Sequence, residues 1–117
     1  MEIKLIQGDA SSTFKFQRRT FDGSPIKTKC QKMWITFKSN TNDSTPAFQK
    51  TLENGISFNE EDFYYKFQID EEDSDSLPIG EYGFDIAIIN ESGDKKTILN
   101  DGVLRIVDHY TKKENEV

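Results

Sequence analysis

Hydrophobic and polar residues alternate with a period of two along most of this chain. In Thr13–Arg18, aromatic and polar side chains take turns, as a strand with one buried face requires. Tyr82–Ile89 is apolar on much of both faces, which is typical of a strand central to its sheet. The predicted strands are Ile3–Ile6, Thr13–Arg18, Met33–Lys38, Phe48–Leu52, Ile56–Phe58, Phe63–Ile69, Tyr82–Ile89 and Lys96–Leu99, the last of which continues beyond a kink as Val103–Val107.

Turn residues separate these strands. Asp22–Pro25 combines a glycine with a proline, and Asn90–Asp94 contains Ser-Gly. The Asn-Gly pair within Glu53–Gly55 predicts a β-hairpin, because both residues tolerate positive φ. A bulge or kink is expected at Asn100–Gly102. No segment sustains helical periodicity, although the acidic run that begins at Asp70 can form one helical turn.

Strands without helices must bury their apolar faces against another sheet. We therefore expect an all-β domain over residues 1–110, an immunoglobulin-like antiparallel β-sandwich of about seven or eight strands. The charged residues 111–117 should form a frayed C-terminal tail. The residues predicted to be mostly buried are Phe16, Trp34, Phe37, Phe67, Tyr82, Phe84 and Ile86.

One local pattern favours the sandwich over a barrel. Leu77–Tyr82 places a glycine two residues before a tyrosine at a strand start. It resembles the tyrosine corner of immunoglobulin-like folds, in which the hydroxyl bonds to backbone upstream, here around residues 77–79. Trp34 would match the core tryptophan of that fold. The two cysteines of antibody domains are missing, so the resemblance implies a disulfide-free relative.

Composition narrows the range of partners. The chain has 117 residues, a net charge of −6 and 14 aromatic residues, from nine Phe, four Tyr and one Trp. This charge disfavours nucleic acid, and no apolar run is long enough to span a membrane. The N-terminal residues lack the apolar stretch of a signal peptide, and Cys30 is the single cysteine. Synthesis in the cytosol is therefore expected.

The sequence offers no catalytic constellation. His109, the only histidine, lies beside the charged tail, with no nucleophile motif near it. Cys30 has Lys29 and Lys32 nearby, which could activate a thiolate, but a small residue leading into a strand is the favoured interpretation. We expect no enzyme activity, no catalytic or metal residues and no cofactor.

Three charged or aromatic features suggest weaker alternatives. The Asp70–Asp75 run could bind calcium, but it lacks the glycine and closing glutamate of an EF-hand loop, so a solvated acidic loop is favoured. Lys15, Arg18 and Arg19 form the only compact basic cluster, and we interpret them as solvated strand faces. Tyr64 lies on the face opposite Tyr65 and could stack on a sugar or a protein.

Short segments across the chain resemble one family. The start Ile3–Asp9 and Thr13–Phe16 is similar to phage and prophage structural proteins, among them the N-terminal domain of baseplate upper proteins from phages of Gram-positive hosts. The similarity continues in Trp34–Lys38, Phe48–Lys50, Asn54–Ile56, Tyr82–Ile86 and Lys95–Ile98. The resemblance implies an assembly module of the tail or baseplate, without a cofactor and present in several copies.

The expected function is therefore association with other tail or baseplate proteins and with copies of itself. The expected location is the virion, after synthesis in the host cytoplasm. Exposed strand edges are the predicted contact surfaces, with Ile3–Ile6 first because it is short, apolar and free of proline. The alternative is a carbohydrate-binding or adhesin-type module of a bacterial surface protein.

Overall fold

A computed structural model describes residues 1–39 and 46–108 and confirms the all-β class. One short helix, α1, spans Glu71–Asp75 within the predicted acidic turn. Residues 40–45, between the predicted strands Met33–Lys38 and Phe48–Leu52, and the whole predicted tail, 111–117, lie outside the described residues. The strands are β1 Glu2–Ile6, β2 Phe14–Gln17, β3 Lys32–Lys38, β4 Phe48–Leu52, β5 Gly55–Phe58, β6 Tyr64–Phe67, β7 Gly80–Ile89 and β8 Lys95–Val107.

The eight strands form one hydrogen-bonded sheet in the order β1-β8-β7-β3-β4-β5-β6-β2. This sheet curls into a half-barrel. Two details of the expected sandwich are thereby corrected: the sheet is continuous, and the pairings β1–β8 and β4–β5 are parallel. No turn joins β1 directly to β8, so no hairpin dictates an antiparallel direction for that pair.

The predicted hairpin at Glu53–Gly55 is wrong in its direction. Backbone bonds between Thr51 and Asn54, 3.0 and 2.9 Å long, close the turn, and Glu53 and Gly55 both have positive φ. These two residues redirect the chain, so that β5 runs parallel to β4 over only two residue pairs before it pairs antiparallel with β6. A Cβ on Gly55 would lie 2.6 Å from Cδ of Lys50, so this corner requires glycine.

The concave face of the curled sheet holds the core. Phe37, Phe67, Tyr82, Phe84 and Ile86 are buried, as predicted. Aromatic rings meet on this face in both halves of the sheet. Ring centroids lie 4.2 Å apart for Phe37–Phe48, 4.9 Å for Phe37–Phe84 and 5.2 Å for Phe14–Phe67.

Two of the predicted core residues, Trp34 and Phe16, are only half-buried. Trp34 lies three positions from Phe37, and alternation therefore puts these residues on opposite faces of β3, with Trp34 outside. Phe16 does face inward and stacks on Tyr65 at 5.5 Å, but β2 is the last strand of the sheet and leaves the ring partly open.

The tyrosine corner is confirmed. Tyr82 is buried, and its hydroxyl donates a 2.6 Å hydrogen bond to the carbonyl oxygen of Pro78. This bond ties the start of β7 to the segment that follows α1. Burial raises the pKa of the Tyr82 hydroxyl.

The irregularity expected at Asn100–Gly102 is a β-bulge. Phe84 pairs with Gly102 and Ile86 with Leu99, so β8 has one more residue than β7 between these pairs. A second register shift follows between Ile86 and Ala87. The bulges separate the half of β8 that pairs with β1 from the half that does not.

The two faces of β3 predict different costs of truncation. Phe37→Ala should lower the free energy of unfolding by about 3–5 kcal/mol, because it empties a fully buried aromatic site. Trp34→Ala, on the outer face of the same strand, should cost clearly less. Denaturant titrations of both variants measure this, and an equal or larger loss for Trp34→Ala would contradict the assignment of faces.

Tyr82→Phe should cost about 1–3 kcal/mol, because the carbonyl of Pro78 loses its donor. Since the folded state raises the pKa of Tyr82, the stability it contributes is present below the ordinary value of 10.0 and is lost as the pH rises above it. The variant should therefore lose less stability than the parent in alkaline buffer. Tyr64→Phe on the outer face is the control; equal stabilities for Tyr82→Phe and the parent would disprove the bond's contribution.

Candidate binding surfaces

An open groove lies between β2 and the first half of β8. Its volume is about 650 Å³, within the range of about 300–1,000 Å³ typical of ligand pockets. Phe14, Phe16 and Phe67 line it from one side of the curled sheet, and Ile86, Ile88 and Leu99 line it from the other. We call this the β2/β8 groove.

The groove is open because, in the part of the chain that the structure describes, no strand pairs with the facing edges of β2 and β8 there. In residues 1–39 and 46–108, β2 pairs only with β6, and β1 pairs with β8 only from Val103 to Val107. Within the described residues, β2 and the Lys95–Leu99 segment of β8 therefore each have one unpaired edge. Such edges present free N–H and C=O groups to a partner strand.

Exposed apolar side chains cluster around this opening. Met1 and Ile98 line the groove and are both exposed. Phe21 is fully exposed in the turn closed by the hydrogen bond from the Gly23 N–H to the Thr20 carbonyl. This turn lies between Arg19 and Ile26, which both line the groove. Exposed apolar residues gathered around a groove are typical of an interaction surface.

The charged residues that line the groove are all cations. Lys15, Arg18, Arg19 and Lys96 line it, and no Asp or Glu does so among the described residues. The structure thus brings the predicted basic cluster together with Lys96, which is distant in sequence. Lys15 rests over the Tyr64 ring, 4.9 Å from its centroid, so this tyrosine already has a partner on the outer face.

Arg18 is not solvated, contrary to our interpretation from the sequence. Its side chain is only 9% exposed; it donates to the Thr28 carbonyl at 3.0 Å and pairs with Glu91 at 2.9 Å. Burial alone would lower the pKa of Arg18, but Tyr65 and Glu91 outweigh burial and raise it. Nε of Arg18 is buried without a hydrogen-bond partner in the described part of the chain.

Glu91 in turn fixes the β7–β8 turn beside the segment that leads into β3. Its carboxylate accepts bonds from Arg18 and from the Thr28 hydroxyl, and its carbonyl accepts one from Gln31 at 3.2 Å. Burial would raise the pKa of Glu91, but the Thr28 hydroxyl and Arg18 lower it overall. These contacts hold one end of the β2/β8 groove in place.

Two aspartates of the acidic run form ion pairs with a lysine. Nζ of Lys50, on the inner face of β4, lies 2.6 Å from Oδ2 of Asp73 and 3.2 Å from Oδ2 of Asp70. Burial would lower the pKa of Lys50, but Asp73 and Asp70 outweigh burial and raise it. Two of the carboxylates that suggested calcium, those of Asp70 and Asp73, thus bind an ammonium group and join β4 to α1.

Other contacts hold α1 against the rest of the sheet. Ser74 is fully buried; its hydroxyl donates to the Asp9 carbonyl at 2.6 Å and accepts from the Gly8 N–H at 3.0 Å. Gln7 donates to the Leu77 carbonyl at 2.7 Å. The acidic segment is therefore a structural connection between β6 and β7.

The remaining candidates from the sequence lie in different places. Cys30 is buried and free, and its backbone N–H donates to the Tyr65 hydroxyl at 3.0 Å. Its burial fits the interpretation of a packed residue. Trp34 is half-buried on the outer face of β3, across from Ala87. His109 lies outside the described residues.

Residues 1–39 and 46–108 contain no group of three or more His, Cys, Asp or Glu side chains placed to hold a metal ion. In the same residues, no helix has the length and apolarity to cross a membrane. Comparison of the chain with protein-family models and with curated proteins finds no match in either.

The sequence reasoning missed the β2/β8 groove. Alternation predicts that Phe16 and Ile86 are buried, and Phe14 and Ile88 lie two positions from them on the same strand faces. The sequence does not show that these four residues line one opening, because they are far apart along the chain. One residue in the sequence could have indicated an exposed apolar surface here. Ile98 is an apolar residue that follows Lys96 and Thr97 on a strand whose apolar and polar residues do not alternate cleanly.

The Lys50 contact predicts a measurable stabilisation. Lys50→Met keeps most of the aliphatic stem but leaves Asp73 and Asp70 without their cation, so we expect a loss of about 1–2 kcal/mol, limited by the exposure of Asp70. Lys29→Met is the matched control: Lys29 pairs with Glu53 at 2.8 Å on the surface, where ion pairs contribute little. Urea midpoints compare the two, and equal losses would contradict a special role for Lys50.

Proposed function

We propose that this chain is a non-catalytic structural protein of a phage or prophage virion, an assembly module of the tail or baseplate. It acts by association with neighbouring virion proteins and with copies of itself, in the virion and, before assembly, in the host cytoplasm. The observation that carries the proposal is that β1 and β2 each have one edge with no partner strand among residues 1–39 and 46–108. The sequence resemblance to phage structural proteins supports the choice of assembly.

The immunoglobulin-like fold is part of the same proposal. We infer an immunoglobulin-like arrangement in which β2, β6 and β5 correspond to strands B, E and D, and β3, β7 and β8 to C, F and G. The strand order supports this, because it divides at the two-residue β4–β5 ladder into β1-β8-β7-β3-β4 and β5-β6-β2. The bond from Tyr82 to Pro78 supports it further.

The outer edge of β1 has a definite pattern of free groups. The Met1 carbonyl accepts from Val103 and the Gln7 N–H donates to Val107, so the odd-numbered residues between them also face β8. The N–H groups of Glu2, Lys4 and Ile6 then point away from the sheet, since successive residues alternate in direction. This edge has no proline within Glu2–Ile6. An extended segment of another subunit can pair along it.

One observation favours the second candidate, a carbohydrate-binding or adhesin-type module. Trp34 is half-buried on an outer sheet face, where an indole ring can stack on a sugar. Polar side chains lie beside it in the sheet: Thr36 accepts a 2.8 Å bond from Gln49, and Thr51 is opposite Trp34.

The test of the assembly function uses the β1 edge. Lys4→Pro removes an N–H that points away from β8, so it should leave the fold intact and weaken association by about tenfold or more. Sedimentation over a concentration series measures self-association, and pull-downs with purified products of the neighbouring tail genes measure docking. Lys4→Ala keeps the N–H and should behave like the parent, and circular dichroism checks that both variants fold.

A protein that stays monomeric and binds none of the tail-gene products would overturn the proposal. If it then bound a purified cell-wall glycan, and Trp34→Ala abolished that binding, the adhesin function would replace it.

A further inference from the structure

We propose that the β2/β8 groove binds an extended segment of another virion protein, in which apolar residues alternate with acidic ones. The segment would add to the sheet as a strand beside β2. This inference rests on the proposed assembly function and names the chemistry of the partner; it concerns a different surface from the β1 edge.

The first observation that supports this inference is that one strand position of an immunoglobulin-like sheet is unfilled among the described residues. In immunoglobulin-like sheets strand A lies beside strand B, in the order A-B-E-D. Here β2-β6-β5 supplies three of these strands, and β1 pairs with β8 on the other half of the sheet. Within the described residues no strand occupies the position beside β2. A strand from a partner would complete that half by backbone hydrogen bonding.

The second support is the apolar lining. Phe14 and Phe16 project from β2 toward the concave side, and Ile86 and Ile88 face them from β7. A strand added beside β2 points every second side chain to the same side as these two phenylalanines. Apolar residues at alternate positions of the partner would therefore enter the groove and cover rings that are now only half-buried.

The third support is the charge at the rim. Lys15, Arg19 and Lys96 line the opening, and none of them forms an ion pair with another described residue. Arg18 adds a buried Nε without a partner. Glu91 already balances the charge of Arg18, so Lys15, Arg19 and Lys96 are the cations that select for acidic residues on the partner.

A second copy of this chain is a poorer occupant. In such a copy, β1, β2 and the Lys95–Leu99 segment of β8 each have a free edge among the described residues. β2 and Lys95–Leu99 contain lysine and no acidic residue, so they do not complement a cationic rim. β1 is buried on one face, because Ile3 and Leu5 point into its own core. β1 therefore cannot offer these apolar side chains to the groove of a neighbour without unfolding its own edge. Since none of these strands of a second copy fits the groove, we assign the partner segment to another protein.

The binding experiment uses the full chain and blocked, dye-labelled peptides of about nine residues, the length of a long strand. One peptide alternates Ile or Val with Glu or Asp, a second has Lys or Arg in place of the acids, and a third is the acidic peptide with a central proline. Fluorescence anisotropy should show binding of the acidic peptide. Affinities about tenfold or more weaker are expected for the basic and proline peptides.

Variants and mapping locate the site. The double variant Arg19→Glu and Lys96→Glu should weaken binding of the acidic peptide by about tenfold or more. Lys32→Glu with Lys38→Glu makes the same change in net charge on β3 and should have little effect. Amide chemical shifts should change along Phe14–Gln17 and Lys95–Leu99 when the acidic peptide is added.

Each other outcome counts against the inference. It is wrong if the acidic peptide does not bind, binds no better than the basic one, or shifts amides of β1 instead. It is also wrong if dodecanoate, a small amphipathic anion, fills the groove while the peptides do not, or if dilution of the protein alone shifts the groove amides, which would identify a second copy as the occupant. Loss of association in Lys4→Pro would still support the assembly function in these cases, and absence of both effects would remove both proposals.

Discussion

The structure depends on the burial of one apolar sheet face against another part of the same sheet. The strands carry apolar residues at every second position, and α1 is too short to cover the face they form. The sheet therefore curls until β5, β6 and β2 lie over the face formed by β7, β3 and their neighbours. Burial of apolar area is the dominant favourable term in folding, so it outweighs the cost of the sharp corner that allows the curl.

Several other features follow from that curl. The corner at Glu53–Gly55 needs two residues with positive φ and leaves only a two-residue ladder between β4 and β5. Contacts away from the ladder hold the two halves together: Lys50 reaches from β4 to the aspartates of α1, and the backbone of Cys30 binds the Tyr65 hydroxyl. The bond from Tyr82 to Pro78 fixes the return of the chain after α1.

The curl also determines which strand edges are left without a partner strand among the described residues. A half-barrel does not close, so β1 and β2 stay at the two ends of the sheet. Beyond the bulges, the first half of β8 pairs with β7 on one edge, and among the described residues its other edge is unpaired. Apolar rings and unpaired backbone groups meet at the resulting groove, with a rim of cations. Such surfaces fit the proposed assembly function, because a partner strand would gain both hydrogen bonds and buried apolar area there.

The sequence by itself determined the all-β class, the position of most strands, the helical turn in the acidic run, the bulge in β8 and the tyrosine corner. These are local properties: period-two alternation, turn residues and a short spaced motif act within a few residues of one another. Residue parity on β3 was also available, and it would have placed Trp34 opposite to Phe37 on that strand.

Only the tertiary structure decided the pairing of strands that are distant in the chain. Contacts that no local pattern encodes determine three features. These are the parallel pairing of β1 with β8 and of β5 with β4, the single curled sheet, and the ion pairs of Lys50 with Asp70 and Asp73. The β2/β8 groove depends on them as well, since it exists only where Phe14 and Phe16 come to face Ile86 and Ile88. The physical reason is that backbone hydrogen bonds between strands are similar whichever two strands pair. The choice of partner strand therefore depends on which arrangement buries the whole apolar face.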